Sequence, residues 1–419
     1  MSAPAHAAEP TFGRPGSLAR AGLALGALAL LVGAGVGLGD SAGEETRFRL
    51  SAVAADVQLG EIAVPVGVCA WVCAAIIALV GVRAVTAPTL PRSAVAVAVL
   101  AATIAFLCWA AAGKTLNLAG LTNATVTGSL PLVLGALAGV LCERSGVINI
   151  AIEGQFLLGA FTASTAASLA GVWVGLAAGS LAGGVVGAVL AVMAIRYLAD
   201  QVIVGVVLNL VILGLTGFLF NRIVVPNQVA LGSPPGLPSL NLPGLSELPV
   251  IGPALFDQSI MLAIAVALVV GVHLTLRRTR WGLRTLAVGE NPEAAQSAGV
   301  SVRGVRYRNV IVGGMIAGLG GVYLTIGSVG AFGPNISSGK GFIALAALIF
   351  GRWMPLPALV AALLFGFADA VQSTLSIVGT PIPTELLQMF PYLVTILAVA
   401  GLVGHVRPPA ADGKPFIRA

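Results

Sequence analysis

Three ionisable side chains lie within or beside long apolar stretches of this chain. Glu153 begins an apolar run, Lys340 lies in a Gly- and Ser-rich break between two apolar segments, and Asp369 lies inside an apolar run. A carboxylate at the centre of a membrane helix costs about 3 kcal/mol on insertion scales and usually faces a bundle interior or a water-filled path. Glu153 therefore predicts either a place on a transport path or structural pairing with Arg144 or a backbone N–H. Asp369 either lines the path or makes a helix–helix hydrogen bond, and Lys340 either closes the site or extends to the membrane surface.

Polar and aromatic residues accompany these charges in two breaks of similar pattern. Each break has Asn-Ile, then polar residues, then Gly-x-Phe or Gly-Phe. We expect the first break near the inner face of a membrane and the second near the outer face, the pattern of an inverted repeat with a path between its halves. The phenylalanines could stack on a base or a sugar ring, or simply pack. The candidate path residues are Asn149, Glu153, Gln155, Phe156, Phe332, Asn335, Lys340, Phe342 and Asp369.

The sequence predicts no catalytic or metal site. The triplet ending at Lys340 resembles part of a phosphate-binding loop, but Pro334 replaces its first glycine and Gly341 replaces the magnesium-binding Ser or Thr. The three histidines lie far from any second ligand, and the four cysteines lie in apolar stretches. A membrane-embedded enzyme is therefore disfavoured, and we expect no cofactor in this chain.

The elements that position these residues are membrane helices. The chain is 58% hydrophobic and 9% charged, whereas soluble domains carry about 25% charged residues. The predicted fold is an all-α, polytopic transmembrane bundle of about 10–12 segments, some of them half-helices or broken spans. The predicted segments are about 21–38, 62–80, 94–112, 129–142, 147–170, 172–195, 202–220, 258–276, 309–330, 342–351, 355–376 and 386–404.

Charge predicts the topology of these segments. Residues 277–308 hold seven arginines, which places this stretch and both chain termini in the cytoplasm by the positive-inside rule. The stretch 221–257 holds seven prolines and is predicted to be external, either as a plain loop or as a rigid platform for a soluble binding protein. The net charge of +6 is explained by these loops and does not indicate nucleic-acid binding.

A short capped helix is predicted between the two arginine clusters. Asn291 suits an N-cap, Pro292 the first helical position, and Gly299 the left-handed residue that ends a helix. Glu293 favours the positive end of the helix dipole. A small helix on the cytoplasmic face of a membrane protein indicates docking of a soluble partner.

The residues of this helix resemble a known motif. Glu293, Ala294, Ala295 and Gly299 match the cytoplasmic EAA motif of ABC-importer permeases, although the Leu-Pro that often follows is absent. The segments 143–154 and 339–353 are similar to the ribose and branched-chain amino acid permease superfamily, and more narrowly to its nucleoside-uptake branch. The resemblance covers about residues 120–405.

The resemblance implies an assembly. The coupling residues would be Asn291, Pro292, Glu293, Ala294, Ala295 and Gly299, docked on a separate ABC ATPase subunit that binds ATP and magnesium. A second permease, either related or identical, and an external binding lipoprotein would complete an inner-membrane importer of a small molecule. We expect residues 1–113 to form an N-terminal extension, 114–405 the permease core, and 406–419 a cytoplasmic tail.

Other functions stay open from the sequence. The same machinery could carry ribose-like sugars or branched-chain amino acids instead of nucleosides. A secondary transporter would instead use Glu153 and Asp369 as ion-coupling acids.

Overall fold

The structure, a computed structural model, is mainly helical and consists of two compact units. The first unit comprises the described residues up to 120 together with 373–388, and the second comprises 121–372 and the described residues from 389 onward. The residues described are 15–51, 60–87, 91–241, 243–246, 248–380, 382–397 and 407–417.

The described residues of the first unit combine helices with a small sheet. Strand β1 lies in the centre of the sheet, antiparallel to β2 and parallel to β3. Thr46 of β1 is fully buried, and its hydroxyl donates a hydrogen bond to the carbonyl of Cys108 at 2.7 Å. The sheet therefore is fastened to the helices of this unit. The elements are α1 (Pro15–Leu30), β1 (Glu45–Arg49), β2 (Ile62–Pro65), α2 (Val66–Thr86), α3 (Arg92–Ala110) and β3 (Thr115–Asn117).

The remaining elements are almost all helices. Several continue into π-helical turns, as α6 does to Arg196 and α13 to Val329. In chain order they are α4 (Leu118–Glu143), α5 (Ile152–Ala170), α6 (Val172–Ala191), α7 (Gln201–Leu219), α8 (Gln228–Leu231), β4 (Ser239–Asn241), α9 (Gly252–Leu255), β5 (Asp257–Ser259), α10 (Ile260–Arg278), α11 (Arg280–Glu290), α12 (Pro292–Ser297), α13 (Val302–Val322), α14 (Lys340–Phe350), α15 (Pro355–Val378) and α16 (Thr384–Leu397).

Eight helices in the described part of the chain are long and apolar enough to cross a membrane, and two shorter apolar helices cover Gly22–Val36 and Lys340–Phe350. The polytopic helical fold is thus confirmed. The short helix α14 measures roughly 16 Å, about half of a hydrocarbon core, so the prediction of a short segment there is confirmed. The last predicted span continues over 398–406, outside the described residues.

The prediction of a short segment at 129–142 is wrong, because that stretch is the second part of the 26-residue helix α4. The first part of α4 is polar in sequence, so a prediction from hydropathy did not include it in the membrane segment. Its hydroxyls are satisfied within the helix: Thr125 donates to the carbonyl of Leu121 at 2.8 Å, and Thr127 to that of Asn123 at 2.9 Å. Hydroxyls bonded in this way cost little in an apolar environment.

Glycines bring α5, α6 and α13 into backbone contact. A methyl group at Gly318 would overlap the carbonyl oxygen of Gly179, and one at Gly314 would lie 2.5 Å from that of Gly183. A methyl group at Gly159 would lie 2.6 Å from the carbonyl oxygen of Gly318. In the sequence these glycines recur four residues apart, as in Gly179/Gly183 and Gly314/Gly318, a spacing that indicates close helix packing where lipid provides little hydrophobic drive between helices. We call this contact of α5, α6 and α13 the glycine seam.

Candidate functional site

The capped helix that the sequence predicts is α12. The Asn291 side chain accepts a hydrogen bond from the N–H of Ala294 at 3.0 Å, and Pro292 is the first helical residue. Gly299 has φ of +78°, a left-handed conformation that costs glycine little. The local sequence is therefore sufficient to begin and end this helix.

The two faces of α12 have different roles. Ala295 is 4% exposed and packs in a cluster with Val288, Val302, Val305 and Phe416. The opposite face is exposed and consists of Glu293, Ala294, Ser297 and Ala298. Ala295 therefore anchors the helix to its own chain, and only the exposed face is available to a soluble partner.

A hydrogen-bond chain joins α11 to α13. The indole N–H of Trp281 donates to Oδ1 of Asn309 at 2.6 Å, and the Asn309 amide donates to the hydroxyl of Thr285 at 2.9 Å. The guanidinium of Arg308 lies 4.4 Å from the Trp281 ring centroid, a favourable cation–π distance. Sequence reasoning treated this stretch as loop and missed α11, although a tryptophan among arginines was a signal of packing.

The arginines of 277–308 do not form a uniform charged surface. Six of them are exposed, but Arg306 is only 2% exposed. Its Nε donates to the carbonyl of Ser145 at 3.1 Å, in the connection between α4 and α5. Arg306 is thus a structural bridge, whereas the expectation treated all seven as loop charges.

Glu153 lies at the start of α5, where its carboxylate is buried and fully engaged. Oε1 accepts from the Ser337 hydroxyl at 2.6 Å and from the Gly339 N–H at 2.7 Å. Oε2 accepts from the Gly341 N–H at 2.6 Å. These donors lie at the N-terminus of α14, which favours a negative charge. The carboxylate therefore joins α5 to α14.

This contact corrects the expected placement of the two breaks. A methyl group at Gly341 would lie 2.7 Å from Cα of Glu153, so the breaks are in backbone contact and do not lie near opposite faces. Arg144, an expected partner of Glu153, binds elsewhere. Its guanidinium donates to the carbonyl of Trp353 at 2.8 Å and to that of Arg352 at 3.2 Å, beyond the far end of α14.

Three other candidates of the first break are interior residues. Asn149 and Gln155 are both fully buried and pair through their amides, with Asn149 Nδ2 donating to Gln155 Oε1 at 3.1 Å. Phe156 is fully buried, and its ring fills the space beside Gly135 and Gly320. These side chains shape the core around the break.

The second break divides into a buried and an open part. Phe332 is 6% exposed and packs edge-on against Phe161, with 5.3 Å between ring centroids. Asn335 is exposed with φ of +57°, and Phe342 is 50% exposed. The expected stacking surface at Phe332 is therefore already occupied by protein.

Lys340 and Asp369 form an ion pair that stays accessible. The lysine Nζ lies 3.0 Å from Oδ2 of Asp369, and the side chains are 24% and 39% exposed. The pair joins the first residue of α14 to α15. The candidate set thus separates into a buried structural group around Glu153 and an accessible charged pair.

Within the described residues, no three His, Cys, Asp or Glu side chains are grouped so as to hold a metal ion. The polar arrangement at the breaks can hold helices together and present charges to a solute.

Comparisons with known proteins show the family of this chain. Residues 121–399 match the family described as branched-chain amino acid transport system, permease component. The chain belongs to this family. It is a permease component of an ABC transporter and a multi-pass membrane protein, and it is not an enzyme.

The permease is similar to curated relatives over most of its length. The guanosine ABC transporter permease protein NupQ of Bacillus subtilis is 39% identical over 312 residues, covering 70% of this chain and 95% of the relative. The nucleoside ABC transporter permease protein NupC of Lactococcus lactis is 36% identical, covering 70% and 94%. A putative glucose ABC transporter permease protein of Haloferax volcanii is 34% identical, covering 67% and 91%. No solved structure matches the permease.

Proposed function

We propose that this chain is the permease subunit of an ATP-driven importer that moves nucleosides into the cell. The two relatives of higher identity carry guanosine or nucleoside in their names, at 39% and 36% identity. The putative glucose relative, at 34%, keeps simple sugars as the alternative substrate class. Branched-chain amino acids, which the family description names, are the third.

The proposed assembly has four kinds of component. This chain pairs with a second permease, which is a related protein or another copy, and an ABC ATPase supplies ATP and magnesium chemistry. An external binding lipoprotein delivers the substrate, and the proline-rich stretch 221–257 is its landing surface. Both termini of this chain lie in the cytoplasm of a cell whose inner membrane it crosses. Residues 1–113 are an extension, 114–405 the core, and 406–419 a tail.

The observation that carries the proposal is the exposed face of α12. A helix of six residues that is capped at both ends has one side anchored through Ala295 and the other side open. It is connected to α13 through α11 and the Asn309 hydrogen bonds. Movement of a partner bound to α12 would therefore be passed to a helix of the glycine seam.

The path residues in this proposal are Lys340 and Asp369. Both charges are accessible and lie on helices of the permease core, and a charged pair can exchange its internal hydrogen bond for hydrogen bonds to a polar solute. An ion-coupled secondary transporter is disfavoured by the same geometry. Glu153 accepts hydrogen bonds from Ser337, Gly339 and Gly341, so its carboxylate is not free to bind a coupling ion.

The proposal is tested by reconstitution. The complex is placed in vesicles with ATP on the ATPase side, and uptake of labelled guanosine is measured with its binding protein outside. We expect uptake only with ATP, and competition by other nucleosides but not by leucine or glucose. Uptake by this chain alone, driven by a proton or sodium gradient, would refute the proposal.

The exposed face of α12 is tested by Ala294→Arg. A large charged side chain at the centre of a docking surface is expected to weaken ATPase binding by about 2 kcal/mol or more, roughly 30-fold. The matched control is Ala230→Arg, the same change at an exposed alanine of α8. Pull-down of the ATPase by each variant measures the effect, and equal binding by both would contradict the docking role.

The charged pair is tested by Asp369→Asn. We expect transport to fall about tenfold while the melting temperature stays nearly constant, because partly exposed ion pairs contribute only about 0–1 kcal/mol to stability. Glu61→Gln is the control. It breaks the ion pair between Arg49 and Glu61, whose side chains are 34% and 30% exposed, respectively. If both variants transport equally, the pair does not line the path.

A further inference from the structure

The C-terminal segment 407–417, which we call the tail, folds back onto the elements that carry α12. The N–H of Ala411 donates to the carbonyl of Gly289, at the end of α11, at 2.8 Å. The N–H of Ala410 donates to the Glu290 carboxylate at 3.4 Å. The tail is therefore hydrogen-bonded to the residues immediately before α12, although the sequence predicted only a cytoplasmic tail.

Phe416 is the apolar anchor of the tail. It is 8% exposed and lies in the same cluster as Ala295, the buried residue of α12, together with Val288, Val302 and Val305. Buried aromatic side chains dominate the energetics of such small clusters. The neighbouring Ile417 is 71% exposed, so a buried and an exposed apolar residue are adjacent in the chain.

Arg306 connects the tail to the membrane helices. Its Nη1 donates to the carbonyl of Lys414 at 3.0 Å, while Nε donates to Ser145 between α4 and α5. A methyl group at Gly146 would lie 2.8 Å from Nη2 of Arg306 and 2.9 Å from the carbonyl oxygen of Ala411. The guanidinium is thus enclosed between the tail and the α4–α5 connection, and without the tail it would lose a partner for a buried charge.

An open space remains between the tail and the end of α12. It measures about 300 Å³, large enough for side chains of a neighbouring protein to enter. Phe416 forms part of its wall, so the tail shapes the surface next to the docking helix. The other lining residues are Gln296, Gly299, Val300, Ser301, Val302 and Arg303.

We propose that the tail is a positioning element of the ATPase-docking surface, in which Phe416 holds α12 in place and Arg306 fastens the tail to the α4–α5 connection. The inference rests on the proposed function for the identity of the partner. The helix α12 has only six residues and one buried side chain, that of Ala295. The orientation of α12 therefore depends on the cluster that Phe416 completes. The tail and α12 together form one docking surface.

The test compares Phe416→Ala with Ile417→Ala. Hydrogen exchange is measured at the backbone amides of 294–300 in the purified permease without any partner. We expect exchange to be at least about tenfold faster in Phe416→Ala, because the cluster no longer protects the helix. Exchange in Ile417→Ala should match that of the unchanged protein. Equal exchange in both variants would overturn the inference.

The second measurement is ATPase binding by the same two variants. We expect binding to fall about tenfold in Phe416→Ala and to persist in Ile417→Ala. Faster exchange with undiminished binding would overturn the assigned role in docking. A failure of the unchanged chain to bind an ATPase would instead refute the proposed function, and it is distinguishable because the exchange result does not require the partner.

If Phe416→Ala fails to fold, Phe416→Leu takes its place in both measurements. Leucine keeps the anchor apolar but fills less of the cluster, and a smaller increase in exchange than for alanine is then expected. Near-unchanged exchange in Phe416→Leu together with unfolding of Phe416→Ala would overturn the inference, since it would make Phe416 a general stability residue.

Discussion

Gly318→Ala should destabilise this permease, although alanine is the better helix former. A methyl group at this position would overlap the carbonyl oxygen of Gly179, and it would lie 3.0 Å from that of Ser180. Because both obstacles are backbone atoms, α6 and α13 must move apart and lose contact along the seam. Overpacking of this kind costs about 1–3 kcal/mol. Thermal unfolding of the purified protein in detergent measures the effect.

The chain offers an internal control for this substitution. Gly214 lies on α7, and a methyl group there would meet nothing within 4 Å. Gly214→Ala should therefore be neutral or stabilising by up to about 1 kcal/mol, since alanine restricts the unfolded backbone more than glycine does. The two changes are expected to have opposite signs. A higher melting temperature for Gly318→Ala would refute the backbone contact of α6 with α13.

Glu153→Gln should lower stability and transport together. The amide keeps one oxygen but replaces the other with an NH₂ group, which must face at least one of the N–H donors of Gly339 and Gly341. The change removes a charge-assisted bond and leaves a buried donor unsatisfied, at a cost of about 2–4 kcal/mol. We expect a lower melting temperature and lower yield of folded protein, in addition to the loss of uptake.

The control for this change is Glu385→Gln, which replaces an exposed carboxylate in the first turn of α16. Only the weak interaction with the helix dipole is lost there, about 0.3–1 kcal/mol. Lost transport in Glu153→Gln with an unchanged melting temperature would show that the carboxylate contacts the substrate. It would then belong to the path and not to the junction of α5 with α14.

The sequence was most informative where the physics is local. The limits of α12 follow from Asn291, Pro292 and Gly299, each of which acts within four residues of its own position. The glycine spacings on α6 and α13 likewise indicate close packing of these helices. In these places the pattern needed no knowledge of the rest of the chain.

The sequence was least informative where distant segments meet. Glu153 and Gly339 are separated by 186 positions, so its hydrogen-bond donors could not be inferred from its neighbours. The same holds for Arg306, whose partner Lys414 lies 108 positions away. The separation of structural from accessible polar residues among the path candidates therefore required the fold.

The glycine seam also limits how this permease can change shape. Helices whose backbones touch cannot bend independently, because any local curvature in one would drive its main-chain atoms into the other. We therefore expect α5, α6 and α13 to tilt together as one rigid body when a partner bound to α12 moves. Alternation between outward and inward openings would then occur where this rigid body meets the other helices. The contacts within the glycine seam would be the same in both states.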